Sequence, residues 1–318
     1  RPWAQWGLTL FREPRRPMND AATTTLPLTL EQIWIYPVKS CAGIRLRTVE
    51  LLDTGLEWDR TWMVVDADGE FVSQRELPRM ALVQPRLRLG RLELRAPGML
   101  SLHVALDAAE APCRVRVWDD TVDAFDMGDA AAQWFTDFLG DDLPPGMGPL
   151  RLVRFDPDER RLSSYRWTGG IEAPNTFSDG YPLLVVSQAS LDDLNERLAA
   201  RGEPPVGIER LRANLVIGGV YPHDEDRMER IDFLADGVPA DAPLATLQLV
   251  KPCARCSIPD VDPATGVPDG RLSPVLRTYR QDRRLMGAVT FGMNAIVRRG
   301  VGQMLHEGMR ANGHWGAW

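Results

Sequence analysis

The chain has 318 residues, is 44% hydrophobic and 25% charged, and carries a net charge of −7. That length suits one large domain or two medium ones with real cores, and the composition excludes a disordered chain. The negative balance excludes a broad nucleic-acid surface, which needs a basic face to displace counterions, so any anion site must be local and built from a few placed Lys and Arg.

No apolar run approaches the ~20 residues of a membrane span. The first 17 residues hold several arginines and a short apolar run but no small-residue cleavage site, and Met18 reads as a natural start. Residues 1–17 are expected to be a disordered upstream extension, with folded structure from residue 28. Four cysteines without an export signal do not make a disulfide scaffold. The expected setting is a reducing cytoplasm, in which Cys253 and Cys256 are free thiols or ligands.

Short alternating runs dominate the N-terminal half. "LEQIWIYPV" puts Ile33 and Ile35 on one face of a strand. "TWMVVDADGEFVSQ" predicts two strands with a turn at Asp66–Gly69. "RLRLGRLELRA" alternates Leu87 and Leu89, then Leu92 and Leu94, and "CRVRVWDDTVDAF" alternates Val115 and Val117 before an acidic turn. "GDAAAQWFTDFLG" predicts a helix capped by Asp129, with Trp134, Phe135, Phe138 and Leu139 on one face and Gly140 as the stop. The Pro/Gly-rich "LPPGMG" at 143–148 marks an expected boundary between two β-rich units, 28–148 and 149–318.

"SQASLDDLNERLAARG" predicts a second helix, with Ser187 as cap, Leu191, Leu194 and Leu198 as the stripe and Gly202 at its end. "ANLVIGGV", "ATLQLVKPC" and "GAVTFGMNAIV" then read as strands. The expected fold class is mostly β (α+β) with a few inserted helices, without regular βαβ alternation. No GxGxxG follows a strand and no P-loop is present, so neither a Rossmann nor a Walker site is supported.

"VKPCARCSIPDVDPATG" carries the sharpest chemical signal. Four readings compete for Cys253 and Cys256. Structural zinc needs two more ligands, but the four histidines, His103, His223, His306 and His314, do not pair at zinc spacing. A thioredoxin-like dithiol needs a helix N-terminus, and two prolines follow instead. Inert burial suits Cys41 and Cys113, each alone, better than this pair, because Lys251 and Arg255 favour a thiolate. The fourth reading is a single thiolate ligand to a soft metal that brings its own ligands and anionic groups, clamped by scattered Lys and Arg.

"KPCARC" followed by "DVDPATG" resembles the signature of MOSC domains. "IYPVKSCAGI" and "WDRTWMVVDADGEFVSQRELPRMALV" resemble the MOSC N-terminal β-barrel domain, and "FSDGYPLLVVSQASLDDLNERL", "RLRANLVIGG", "LRTYR" and "FGMNAIV" resemble the MOSC domain itself. In order from about residue 30 to 300, these motifs make the chain similar to the mitochondrial amidoxime-reducing components and their bacterial counterparts. The resemblance implies an N-terminal β-barrel-like domain followed by a MOSC β-barrel. It also implies a molybdenum cofactor, a pterin with a dithiolene and a phosphate, and reduction of N-hydroxylated compounds. It places the molybdenum ligand at Cys256, with Cys253 beside it, and cofactor-binding residues at Lys39, Ser40, Arg60, Asp179, Arg212 and Asn214.

Two departures stand out. Leu211 and Ala213 replace the family's aromatic and proline around Arg212, and the C-terminal segment "VGQMLHEGMRANGHWGAW" leaves the last strand open. No cysteine follows Cys256, so a C-terminal iron–sulfur domain is not expected. Electrons are expected from a separate ferredoxin, flavoprotein or cytochrome, and the other expected partner is a small N-hydroxylated substrate, with no nucleic acid and no membrane. The alternative is a sulfur carrier, or a cofactor maturation or storage protein, using a Cys256 persulfide.

Overall fold

The computed structural model describes residues 25–235, 237 and 242–316. The extension expected over residues 1–17 and the start at Met18 lie outside the described residues. The fold is mostly β and is organised around a closed seven-stranded barrel. Its strands are β1 (Thr25–Ile35), β2 (Leu183–Ser187), β3 (Leu215–Gly218), β4 (Met228–Phe233), β5 (Ala245–Ala254), β6 (Ala288–Arg299) and β7 (Arg310–Trp315). The order is β2-β3-β1-β7-β4-β5-β6, and β6 pairs back onto β2.

An odd ring cannot be wholly antiparallel. Each antiparallel pairing reverses direction, and a closed circuit must return to its starting direction. One parallel pair, β2 with β3, absorbs the odd count. Parallel neighbours need a crossover, which the helix Gln188–Ala199 supplies. Ser187 caps it, its Oγ accepting from Ser190 N at 3.1 Å. Leu191, Leu194 and Leu198 pack with Leu184 and Val186 on the outside of the barrel, and Gly202 adopts φ 75 beyond the helix end.

Inside the barrel, Leu26, Leu28 and Leu30 alternate inward along β1. The register against β3 then slips between Leu30 and Gln32, so Ile33 and Ile35 also face inward. Alternation alone found only the second pair, because the five residues do not share one phase. The strand begins at Thr25, earlier than the expected start at residue 28, and Leu26 is already buried. The last strand, left open by the sequence, is β7, paired with β1 and β4.

The N-terminal half builds two further sheets. Trp62–Val65, Arg151–Phe155, Asp120–Asp126 and Ala111–Val117 form one in that order, and Gln84–Arg88, Arg91–Arg95 and Leu102–Ala105 form the other. The helix Asp129–Leu139 buries Trp134, Phe135, Phe138 and Leu139 as expected. Its N-cap is Gly128 rather than Asp129, with Gly128 N donating to Asp126 Oδ1, while Asp129 faces Arg151. The chain past Leu139 continues into a 3₁₀ turn, Gly140–Asp142. Leu89 does not share the inward face of Leu87. It sits in the hairpin turn at φ 50, fully exposed. The strand expected after Asp66–Gly69 is reduced to two isolated bridges, Val65 to Phe71 and Glu70 to Arg116.

The expected division at 148/149 does not separate sheets. Leu143 and Met147 pack onto the same core as the helix Asp129–Leu139. Pairings cross the line where β1 joins β3 and β7, where Trp62–Val65 joins Arg151–Phe155, and where Thr48–Leu52 joins Met304–His306. Local composition marks a turn, while non-local hydrogen bonds decide which strands share a sheet. No helix among the described residues is long and apolar enough to cross a membrane.

Barrel closure depends on Gly292 in β6, which has φ 76. A Cβ there would lie 2.6 Å from Val186 Cγ2 and 2.7 Å from Val185 O on the facing strand. Gly292→Ala is expected to destabilise the fold by more than about 1 kcal/mol, read as a lowered urea midpoint. Asp193 gives a pH test. Burial opposes its ionisation, but hydrogen bonds from His223 and Arg197 prevail and hold it at about 2, below the ordinary aspartate value. The folded state therefore gives up this proton more readily than the unfolded chain. The stabilisation is complete above about pH 4 and is lost as the pH falls through about 2. Asp193→Asn should lower Tm at neutral pH, with the difference from wild type shrinking on acidification. An equal difference at both pH values would contradict it.

Candidate functional site

A cleft of ≈ 770 Å³, counting the solvent at its mouth, lies against the outside of the barrel. It brings together all eight residues singled out in the sequence: Lys39, Ser40, Arg60, Asp179, Arg212, Asn214, Cys253 and Cys256. Lys39 and Ser40 follow the end of β1, Asp179 precedes β2, Arg212 and Asn214 precede β3, and the cysteines close β5. Pairing among these strands is what collects residues more than 200 positions apart. Five cations line the cleft, Lys39, Arg60, Arg75, Arg212 and Arg255, against one carboxylate, Asp179.

Two of the cations share one aromatic support. The guanidinium carbons of Arg60 and Arg212 lie 4.4 and 4.2 Å from the centroid of the buried Tyr36 ring. Asp59 accepts from Tyr36 N at 2.8 Å and from Arg60 Nη1 at 2.6 Å. Arg60 Nη2 donates to Arg212 O, and Arg212 Nη1 donates to Cys41 O at 2.7 Å. A Cβ at Gly43 would lie 2.6 Å from Tyr36 Cε1, so glycine there lets the chain cross the ring. Burial, and then the charge of Arg60, lowers the proton affinity of Arg212 to about 10. Ser40, Arg60 and Arg212 all adopt left-handed backbone, at φ 66, 48 and 55. Strained conformations of this kind persist only where the surroundings over-determine them, and they cluster at ligand sites. Leu211 and Ala213, which depart from the family pattern, are fully buried, and Ala213 O accepts from Tyr36 Oη.

Lys39 is buried and donates to Phe177 O at 2.8 Å and Asp179 Oδ1 at 2.5 Å. Burial lowers its proton affinity, with Asp179 opposing. Asp179 is exposed, with 67% of its side-chain surface open to solvent at the cleft. Desolvation would raise its pKa, but the Lys39 ammonium and the indole N–H of Trp118 prevail and hold it below the carboxylate range. The loop carrying Asp179 is fixed by buried Arg161, which donates to Asn175 Oδ1, Thr176 O and Ser178 O, and to Asp120 at its other edge. Asn214 is engaged in the scaffold: Oδ1 accepts from Leu184 N and Nδ2 donates to Trp34 O. One amide N–H of Asn214 is left for a ligand.

The cysteines occupy the irregular end of β5, where the register against β6 slips between Leu249 and Lys251 and again between Pro252 and Ala254. Bulges of this kind re-aim side chains. Beyond them, Arg255 N donates to Val289 O, and buried Asp260 accepts from Leu272 N and Ser273 N at 2.9 Å. Anchored on both sides, Cys256 stays exposed to the cleft, with Arg75 Nη1 3.9 Å from its sulfur. Cys253 is half-buried and accepts from Arg255 Nη1 at 3.2 Å. The other two thiols differ. Burial pushes the Cys41 thiol up to about 12 and the Cys113 thiol up to about 11, well above an ordinary cysteine. Among the described residues no three His, Cys, Asp or Glu side chains converge as a metal site, so a metal at Cys256 would depend on ligands brought with it.

Sequence reading missed Arg75, Trp118 and Arg161. Arg75 stands inside a quoted motif, but nothing local distinguishes it from a surface charge. Trp118 and Arg161 hold Asp179 and its loop from a hairpin tip and a short strand whose placement is non-local.

Comparison with known proteins identifies two domains in the chain. Residues 27–142 match the MOSC N-terminal beta barrel domain and residues 172–309 the MOSC domain. Mitochondrial amidoxime-reducing component 1 of Mus musculus is 34% identical over 262 residues, covering 79% of this chain and 71% of that protein. The Homo sapiens protein of the same name is 33% identical over 273 residues, covering 81% and 75%. Molybdenum cofactor sulfurase of Danio rerio is 29% identical over 281 residues, covering 83% of this chain and 31% of that protein. With both domains matched in order, and with the motifs of each lining one cleft, the chain belongs to the MOSC-domain family that carries the MOSC N-terminal β-barrel domain and includes the mitochondrial amidoxime-reducing components.

Proposed function

We propose that this cleft holds molybdenum cofactor and that the chain reduces N-hydroxylated compounds, hydroxylamines to amines and amidoximes to amidines. Electrons come from a separate donor of ferredoxin, flavoprotein or cytochrome type. One observation carries the reading: in a chain of net charge −7, five cations and a single carboxylate line the cleft that exposes the Cys256 thiol.

The donor set fits the group. Lys39, Arg60 and Arg212 would hold the phosphate, the arginines through paired charge-assisted hydrogen bonds. An anion between them offsets the burial and the Arg60 repulsion that together depress Arg212. Arg255 Nε is buried without a partner and so has a donor to give. Ser40, Asp179 and the free N–H of Asn214 would meet the donor and acceptor edges of the pterin. Cys256 would be the soft protein ligand, and Cys253, tied to Arg255, its neighbour. When bound, the cofactor supplies the two-electron reduction that no side chain performs. Overall, R–NH–OH with two electrons and two protons gives R–NH₂ and water.

The match to a molybdenum cofactor sulfurase favours one other role, a sulfur carrier or a cofactor maturation or storage protein with a persulfide on Cys256.

Protein made in a cofactor-competent host should contain near-stoichiometric molybdenum and reduce a hydroxylamine with reduced dye as donor. Molybdenum without turnover would favour storage, and a persulfide mass on Cys256 without molybdenum would favour transfer. Cys256→Ser should leave the circular dichroism and Tm intact but lower turnover by more than about 100-fold, beyond the range for losing an outer-shell partner. Cys253→Ser should be milder. Arg212→Gln should weaken cofactor retention by about 10- to 100-fold, read as molybdenum content after dialysis.

A further inference from the structure

Four of the five cleft cations each donate to at least one oxygen acceptor. Lys39 donates to Phe177 O and Asp179, Arg60 to Asp59 and Arg212 O, Arg212 to Cys41 O, and Arg255 to Leu211 O. Arg75 differs. Among the described residues its guanidinium makes no hydrogen bond to oxygen. Its nearest carboxylate is Glu76, at 3.7 Å, and its one polar contact within the cleft is Cys256 Sγ.

Aromatic faces hold it instead. The guanidinium carbon lies 4.8 Å from the Trp118 ring and 5.6 Å from the Phe71 ring, and the two rings are 5.0 Å apart. Trp118 stands at a hairpin tip with φ 57, an uncommon conformation for a bulky side chain, and 42% of it is exposed. Its indole N–H is fixed on Asp179 at 3.2 Å, so the ring has a set position at the cleft mouth. The result is an exposed π surface joined to a cation with free donors, beside the one exposed thiol of the site.

We infer that Arg75, with Phe71 and Trp118, forms the substrate-binding wall and selects planar, conjugated N-oxygenated compounds. The guanidinium donates to the oxygen of the N–O group, and the flat part of the molecule stacks on Trp118. This rests on the reductase reading above and names the substrate subclass of the same site.

The test compares an aromatic amidoxime with hydroxylamine, on wild type, Trp118→Leu, Trp118→Phe and Arg75→Gln. In Trp118→Leu the ratio of kcat/KM for the aromatic substrate over hydroxylamine should fall about tenfold, the cost of losing one stacking contact, chiefly through KM. Trp118→Phe keeps a ring but loses the bond to Asp179. Its restoring the ratio assigns the effect to stacking, and its matching Trp118→Leu would overturn the wall. Arg75→Gln should lower kcat/KM on both substrates by about tenfold or more at wild-type molybdenum content and Tm. A loss of molybdenum in that variant would make Arg75 a cofactor clamp and overturn its role here.

A second readout needs no turnover. Saturation-transfer NMR on cofactor-free protein should show the aromatic amidoxime binding to wild type and Trp118→Phe, and about tenfold more weakly to Trp118→Leu. Equal binding to all three would overturn the wall. If wild type turns over neither substrate, the reductase reading fails, and these binding results still decide the wall by themselves.

Discussion

The site depends on crowding like charges and keeping them unneutralised. Arg60 and Arg212 both rest on the Tyr36 ring, and the backbone oxygens of Cys41 and Arg212 take much of their hydrogen bonding. Aromatic faces and carbonyl dipoles hold a cation without cancelling its charge, as a carboxylate would. Asp59, Asp179 and, at a longer 3.7 Å, Glu76 are the acids in contact, three carboxylates against five positive groups. The surplus persists because the main chain accepts unusual conformations at Ser40, Arg60 and Arg212 and because Gly43 leaves room beside the ring. A negative potential of the whole chain does not screen such a pocket, since field lines concentrate in a concave, low-dielectric cleft.

The barrel makes this crowding possible. Antiparallel pairing of β1 with β3 sets the segment after Ile35 beside the segment before Leu215, so Tyr36 and Arg212 meet without a long reach. Pairing of β5 with β6, and of β6 with β2, brings the cysteines to the loop that holds Asp179. The N-terminal half adds a second side, from which Arg75, resting on the Phe71 and Trp118 rings, reaches the thiol.

What the sequence made legible, and what it hid, follows from range. Ser187 as a cap, the stripe of Leu191, Leu194 and Leu198, and the strand into Cys253 depend on neighbours within a few residues, and each appears where expected. The eight residues that meet in the cleft were singled out because several linked motifs pointed to one family, whereas each taken singly reads as a surface charge or a turn. Leu89 misled because alternation cannot distinguish a strand from the turn that ends it. The inward run of β1 was half hidden by a register slip, and "LPPGMG" has the composition of a linker but packs against the core. Arg75 and Trp118 carry no local mark at all, since their meeting depends on how a hairpin tip is set against a loop more than 40 residues away in the chain.

The pairing of β1 with β7 has a further consequence. Thr25 lies against His314, so the earliest described strand is sealed by the latest. During synthesis β1 leaves the ribosome long before either of its barrel partners, with its edges and apolar face waiting. Such a ring cannot assemble piece by piece behind the moving chain end, and it belongs with slow, non-local topologies whose half-built forms tend to stick together. Expression temperature and chaperone supply should therefore govern how much of this protein reaches its native form.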